Sequence, residues 1–139
     1  MASARKAEIT MDFTSSRQQV WDRLTHPLDT SWREDVRWAE EVEPGKSWRE
    51  YVDARHSSLC TIIRQEPCSV YEYRTENDQM TSHWYVELTD LPEGGCRVLF
   101  RQEMQLTSAF WQVASYFAWS LQAVLHRYVY QLKQSLGEK

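Results

Sequence analysis

The 139-residue chain reads as an α+β domain, a curved seven-stranded antiparallel sheet wrapped around one long C-terminal helix, and two patterns predict it. From Val36 to Leu106 apolar residues recur with a period of two between tight turn signals, as in an antiparallel meander. From Ser108 to Leu136 the period lengthens. Phe110, Val113, Ala114, Phe117, Leu121, Val124, Tyr128 and Leu132 lie three or four apart and share one face of a helix. At 1.5 Å per residue such a helix is roughly 40 Å long, enough to cross a small domain.

The elements follow in order as β-α-α-β6-α. Ile9, Met11 and Phe13 alternate with Glu8, Thr10 and Asp12, giving a half-buried first strand over Ala7 to Phe13. Ser15 or Ser16, each followed three residues later by Gln, starts a short helix that turns Val20, Trp21 and Leu24 inward and ends at Pro27. Thr30 to Glu34 is expected to form a second helical turn carrying Trp32. Strands are predicted at Val36–Glu43, Ser47–Asp53, Leu59–Gln65, Val70–Glu76, Thr81–Asp90 and Arg97–Leu106. The turn signals between them are Pro44-Gly45, Glu66-Pro67, Asn77-Asp78 and Leu91-Pro92-Glu93-Gly94-Gly95. In the last two strands Trp84, Val86, Leu88, Val98, Phe100, Gln102, Met104 and Leu106 share a face that should meet the helix. Thr107 or Ser108 begins that helix; Lys133 in its last turn and Gly137 beyond it are stop signals. A strongly curved sheet cannot touch a straight helix along its whole length, so a cavity between them is expected.

Composition narrows the function. One domain spanning 1–139, with a core from about 8 to 138, has ample material for burial, since 42% of its residues are hydrophobic and seven are Trp. A net charge of −4 without a Lys/Arg cluster points away from nucleic acid and from anionic membrane surfaces. No charge occurs from Met104 to Leu125, yet Gln105, Thr107, Ser108, Gln112, Ser115, Ser120 and Gln122 mostly gather opposite the apolar stripe. A spanning helix has no reason to sort its polar residues in this way, so membrane insertion is not expected. Met1 to Lys6 has no apolar run after it, and three unpatterned cysteines, Cys60, Cys68 and Cys96, read as free thiols; both features point to the cytoplasm. Trp111, Tyr116, Trp119 and Tyr130 leave the back of the helix more aromatic than a solvated face needs, and a homodimer through them is an expectation.

Several stretches together resemble the START-like or birch-allergen-like helix-grip domains, the SRPBCC superfamily, and within it the polyketide cyclase/dehydrase-type group. They are the first strand running into Ser15-Ser16-Arg17-Gln18-Gln19-Val20-Trp21-Asp22-Arg23-Leu24, then Trp32, Pro44-Gly45, Glu66-Pro67, Trp84 to Leu88 ahead of Gly94-Gly95, and Leu132-Lys133. The resemblance covers about Glu8 to Glu138. The departures are Ser15-Ser16, where the family often has Ala-Pro, and Cys96, where it has Thr; Ser caps a helix well and Cys opens a strand. The resemblance implies a hydrophobic cavity under the long helix that holds lipids, sterols, polyketides or other apolar molecules, with functions too diverse for fold to name one.

The residues themselves offer little catalysis. His26, His56, His83 and His126 are scattered. His56 and Cys60 on one strand would stand about 13 Å apart, too far to share an ion, so no metal and no cofactor is expected. No Gly-x-Ser-x-Gly or phosphate-cradling glycine loop occurs. For acid/base work a polar group must point into the cavity. Gln102 does so by alternation, Glu50 or Arg49 on the third strand are further candidates, and Gln102 could orient a ligand or pair with Tyr71 or Tyr73. The predicted ligand wall is Trp32, Tyr71, Tyr73, Trp84, Val86, Leu88, Phe100, Gln102, Met104, Phe110, Val113, Phe117 and Leu121. The expected function is noncatalytic binding or transport of a small hydrophobic molecule. A cyclase/dehydrase-type enzyme using the same cavity, and a protein-interaction or regulatory domain, are the alternatives.

Overall fold

Alternating apolar side chains on seven strands build one inner face, and the final helix lies across it. The computed structural model describes residues 4–107 and 120–138. Its strands are β1 (Ala4–Phe13), β2 (Trp38–Glu43), β3 (Ser47–Asp53), β4 (His56–Glu66), β5 (Val70–Glu76), β6 (Met80–Asp90) and β7 (Cys96–Leu106). The described helices are α1 (Arg17–Leu24) and α2 (Leu121–Ser135). All neighbouring strands are antiparallel, in the order β1-β7-β6-β5-β4-β3-β2, so the meander runs from β2 to β7 and β1 closes against β7. Register shifts at Glu41/Glu43, Tyr51/Asp53 and Ile62/Arg64 fall in the β2–β4 half, where bulges increase the bend of the sheet.

The inner face is the one alternation predicts. Ile9 pairs with Phe100, Phe100 with Val86, and Val86 with Tyr71, so four strands place buried side chains in one row. Leu121, Leu125, Val129 and Leu132 of α2 belong to the same buried cluster. The Ser16 hydroxyl accepts from the Gln19 N–H, and the Gln19 side chain accepts from the Ser16 N–H; this capping box starts α1, which buries Val20, Trp21 and Leu24.

Two expectations need correction. Residues 30–34 make a single turn, closed by the Arg33 N–H to the Thr30 carbonyl at 3.1 Å, rather than a helical segment. The Asp29 carboxylate takes both the N–H and the hydroxyl of Ser31, and the Glu34 N–H goes to Gln131 Oε1, so the groups a helix would pair locally are used elsewhere. The predicted uninterrupted helix from 108 to 136 also fails at Ser120, which is extended (φ −114°, ψ 129°) and caps α2 by accepting from the Ala123 N–H. The Thr107 N–H and hydroxyl bond to the carbonyls of Gln79 and Asp78, and the helix start predicted after it lies outside the described residues. Gly137, at φ +78°, stops α2 as expected, with its own N–H on the Gln134 carbonyl and that of Glu138 on the Lys133 carbonyl. Among the described residues no helix is long and apolar enough to cross a membrane.

Candidate functional site

Aromatic residues dominate the inner face where β3, β5 and β6 approach α2. Strand alternation turns Trp48 of β3, Tyr71 and Tyr73 of β5 and Trp84 of β6 inward; Tyr128 comes from α2 and Trp32 from the loop after α1. They form a connected set. Ring centroids are 5.3 Å apart for Trp48–Tyr73, Tyr71–Tyr73, Trp84–Tyr128 and Trp32–Tyr128, and Tyr73 stacks on Trp84 at 5.8 Å. At their centre is a void of about 10 Å³, touched by Trp32, Arg33, Trp48, Glu50, Tyr71, Tyr73 and Tyr128. One water is the most it can hold.

The void shares part of its wall with a larger space. A groove of about 480 Å³ runs between the 25–29 loop and strands β2–β5, lined by Pro27, Leu28, Trp48, Ile62 and Tyr71, with Glu41, Lys46 and Gln65 among its polar residues. His26, Pro27, Asp29, Trp48 and Tyr71 border both spaces. A second groove, of about 420 Å³, lies on the α2 side of Tyr128, between Glu34 and Asp35 on the loop and Val124, Arg127 and Gln131 on the helix.

A buried ion pair borders the void. The Arg33 guanidinium donates to Glu50 at 2.9 and 3.4 Å and to Asp35 at 2.7 and 3.0 Å, and the side chains of Arg33 and Glu50 are only 8% and 11% exposed. The Trp48 indole N–H donates to the same Glu50 carboxylate at 3.0 Å, and the guanidinium carbon sits 5.4 Å from the Tyr128 ring centre. Burial works to lower the Arg33 pKa, but Glu50 and Asp35 outweigh it and hold the guanidinium well above its ordinary value. Burial pushes the hydroxyls of Tyr71, Tyr73 and Tyr128 far up, so all three remain protonated.

The predicted wall divides. Trp32, Tyr71 and Tyr73 border the void, with Trp84 stacked behind Tyr73. Val86, Leu88, Phe100 and Leu121 are packed in the core at 4% exposure or less. Met104, half-buried, borders a separate depression of about 140 Å³ with Ser82. Gln102 is buried but pairs with neither Tyr71 nor Tyr73; its amide donates to Ser82 Oγ at 3.0 Å, and among the described residues its Oε1 has no partner. Glu50 is the inward polar residue of β3, whereas Arg49 bonds Ser57 Oγ. Phe110, Val113, Phe117, Trp111, Tyr116 and Trp119 lie outside the described residues. Tyr130 is 56% exposed.

Sequence reasoning missed Arg33, Trp48, Pro27, Leu28 and Ile62. Trp48 and Glu50 had a usable signal, two residues apart on a predicted strand; Arg33 had none, because its partner lies seventeen positions away across an irregular loop. Among the described residues no group of three or more His, Cys, Asp and Glu could hold a metal ion. The Cys60 and Cys96 thiols are buried; burial raises both, Cys96 to about 11, so neither is an activated nucleophile.

No protein-family model and no curated protein matches the chain. Solved structures do. Norcoclaurine synthase from Thalictrum flavum is 8% identical with a TM-score of 0.73 over 99% of this chain and 96% of that one. A Staphylococcus aureus protein of unknown function is 13% identical with a TM-score of 0.71 over 99% and 98%. Ara h 8.0201 is 13% identical with a TM-score of 0.61 over 77% and 81%. The fold is the START-like, birch-allergen-like helix-grip. At these identities the likeness is one of fold. Within this helix-grip, aromatic side chains fill the space where Tyr128 of α2 meets the sheet, and the larger volumes lie to either side of them.

Proposed function

We propose that this helix-grip protein binds a small, largely apolar molecule in the groove over Trp48 and Tyr71. The carrying observation is that an apolar groove of about 480 Å³ and the aromatic void with its buried polar groups share His26, Pro27, Asp29, Trp48 and Tyr71 as a common wall. Small-molecule sites generally have that size and composition. The void alone is too small for a ligand, so the body of the molecule rests in the groove and only its tip reaches inward.

An enzymatic reading, a cyclase or dehydrase of polyketide type, has one observation in its favour, the Glu50 carboxylate at the void. Glu50 already receives hydrogen bonds from Arg33 and Trp48, and a general base must be free to take a proton, so we favour binding. The free thiols Cys60, Cys68 and Cys96 fit a reducing cytoplasm as its place of action.

Native mass spectrometry of protein purified gently from its own cells, followed by denaturing extraction, tests the reading. The expected result is a discrete apolar molecule that is lost when Leu28→Trp fills the groove; Leu28 is 48% exposed, so the variant should fold. Protein that is empty and also takes up no member of a panel of fatty acids, sterols and polyphenols would refute it.

A further inference from the structure

The hydrogen-bonding groups around the void are unbalanced. Among the described residues, the fully buried indole N–H of Trp32 has no hydrogen-bond partner, and it borders the same void as the hydroxyl-bearing side chains of Tyr71, Tyr73 and Tyr128. Arg33 Nη1 gives one of its two N–H groups to Glu50. An indole or guanidinium N–H can only donate, and a tyrosine held in its protonated form offers a proton as well. Acceptors are scarce. The Glu50 carboxylate already accepts three hydrogen bonds, Oε2 from Arg33 and Trp48 and Oε1 from Arg33. A buried donor without an acceptor costs stability, and natural proteins leave few of them. Here one such donor, the Trp32 indole N–H, borders a void lined by three further tyrosines beside the groove.

Resting on the proposed binding role, we infer that the molecule bound in this groove is flat and presents a neutral carbonyl oxygen to the void, where it accepts hydrogen bonds from the donors on its wall. The oxygen is neutral because the site has no positive charge to spare. Arg23 and Arg33 on the wall of the void are matched by Asp29 and Glu50, and Asp35 adds a second carboxylate to Arg33. A carboxylate entering there would meet more negative charge than positive. Flatness follows from Trp48 and Tyr71, whose rings border both the groove and the void and offer stacking surfaces.

Matched pairs differing only in the carbonyl test this: fluorenone against fluorene, and benzophenone against diphenylmethane, with fluorene-9-carboxylate as the anionic member, each measured by equilibrium dialysis. Each ketone should bind about tenfold tighter than its hydrocarbon, the scale of one or two neutral hydrogen bonds made in a site shielded from water. The carboxylate should bind more weakly than fluorenone. In Trp32→Phe and, separately, Tyr73→Phe, which keep a ring in place and remove one donor, the preference for ketone should shrink severalfold; circular dichroism verifies the fold, and either variant suffices. Equal affinity for ketone and hydrocarbon would overturn the inference and leave the binding role standing. A carboxylate that binds tightest would overturn the neutral assignment. If no member of either pair binds, the inference falls, while the proposed role stands or falls by the native mass spectrometry.

Discussion

The two edges of the sheet solve the same problem by different means. Along β1 the unpaired backbone is closed by side chains of α2 and the segment after it. The Gln122 amide bonds Glu8 in both directions, accepting from its N–H at 3.2 Å and donating to its carbonyl at 3.0 Å, as a neighbouring strand would. Lys133 donates to the Asp12 carbonyl at 3.0 Å, and Glu138 accepts from the N–H groups of Thr14 and Ser15 at 2.8 and 3.1 Å. Along β2, among the described residues, no strand pairs with the outer side. That strand is short, bulged between Glu41 and Glu43, and carries Glu40, Glu41 and Glu43, the usual protections of an edge left open. The closed edge holds the helix on the sheet, and the open edge leaves Glu41 beside the groove.

The largest expected effect is on the closed side. Gly95, in the β6–β7 hairpin at φ +78°, lies so near the end of β1 that an added Cβ would stand 2.2 Å from the Phe13 carbonyl oxygen. Gly95→Ala therefore forces the hairpin away from β1 and should cost about 3 kcal/mol or more, read from urea denaturation. Next comes Gln122→Ala, which removes the two bonds to Glu8 and should cost about 1 kcal/mol, partly offset by the better helix propensity of Ala. Hydrogen exchange at the Glu8 amide should speed up in that variant while β5 is unaffected; an unchanged Glu8 rate would mean that the amide does not stand in for a strand. The smallest effect on stability belongs to the open side. Glu40→Val removes a charge between Trp38 and Val42, which are 37% and 52% exposed, and should shift stability by less than about 0.5 kcal/mol. Sedimentation should nevertheless show concentration-dependent association through β2, whereas a strictly monomeric variant would mean that the bulge alone guards this edge.

How far the pattern of residues reached depended on the range of the interaction. Tyr71 and Tyr73, or Trp84, Val86 and Leu88, share a face because successive strand side chains alternate, and two residues are enough to express that rule. Ser16 with Gln19 and Gly137 after Lys133 are equally local, and both act where they were expected. Ser120 was illegible. Nothing in its neighbours distinguishes it from Ser115 or Ser108 on the same polar stripe, and its extended backbone breaks a periodicity that continues through it.

The sequence alone determined the periods, the turns, the caps and hence an antiparallel sheet with an apolar face and a helix to cover it, because each of these is set by steric and hydrogen-bonding rules acting within a few residues. Tertiary structure alone decided where that aromatic face is filled and where it stays open. The void is the small difference between the volume the sheet and helix enclose and the volume that Trp32, Trp48, Tyr71, Tyr73 and Tyr128 occupy, and a shift of an ångström in the helix would open or erase it. The pairing of Arg33 with Glu50, and the donors gathered around them, exist only once the loop after α1 has come down on the sheet.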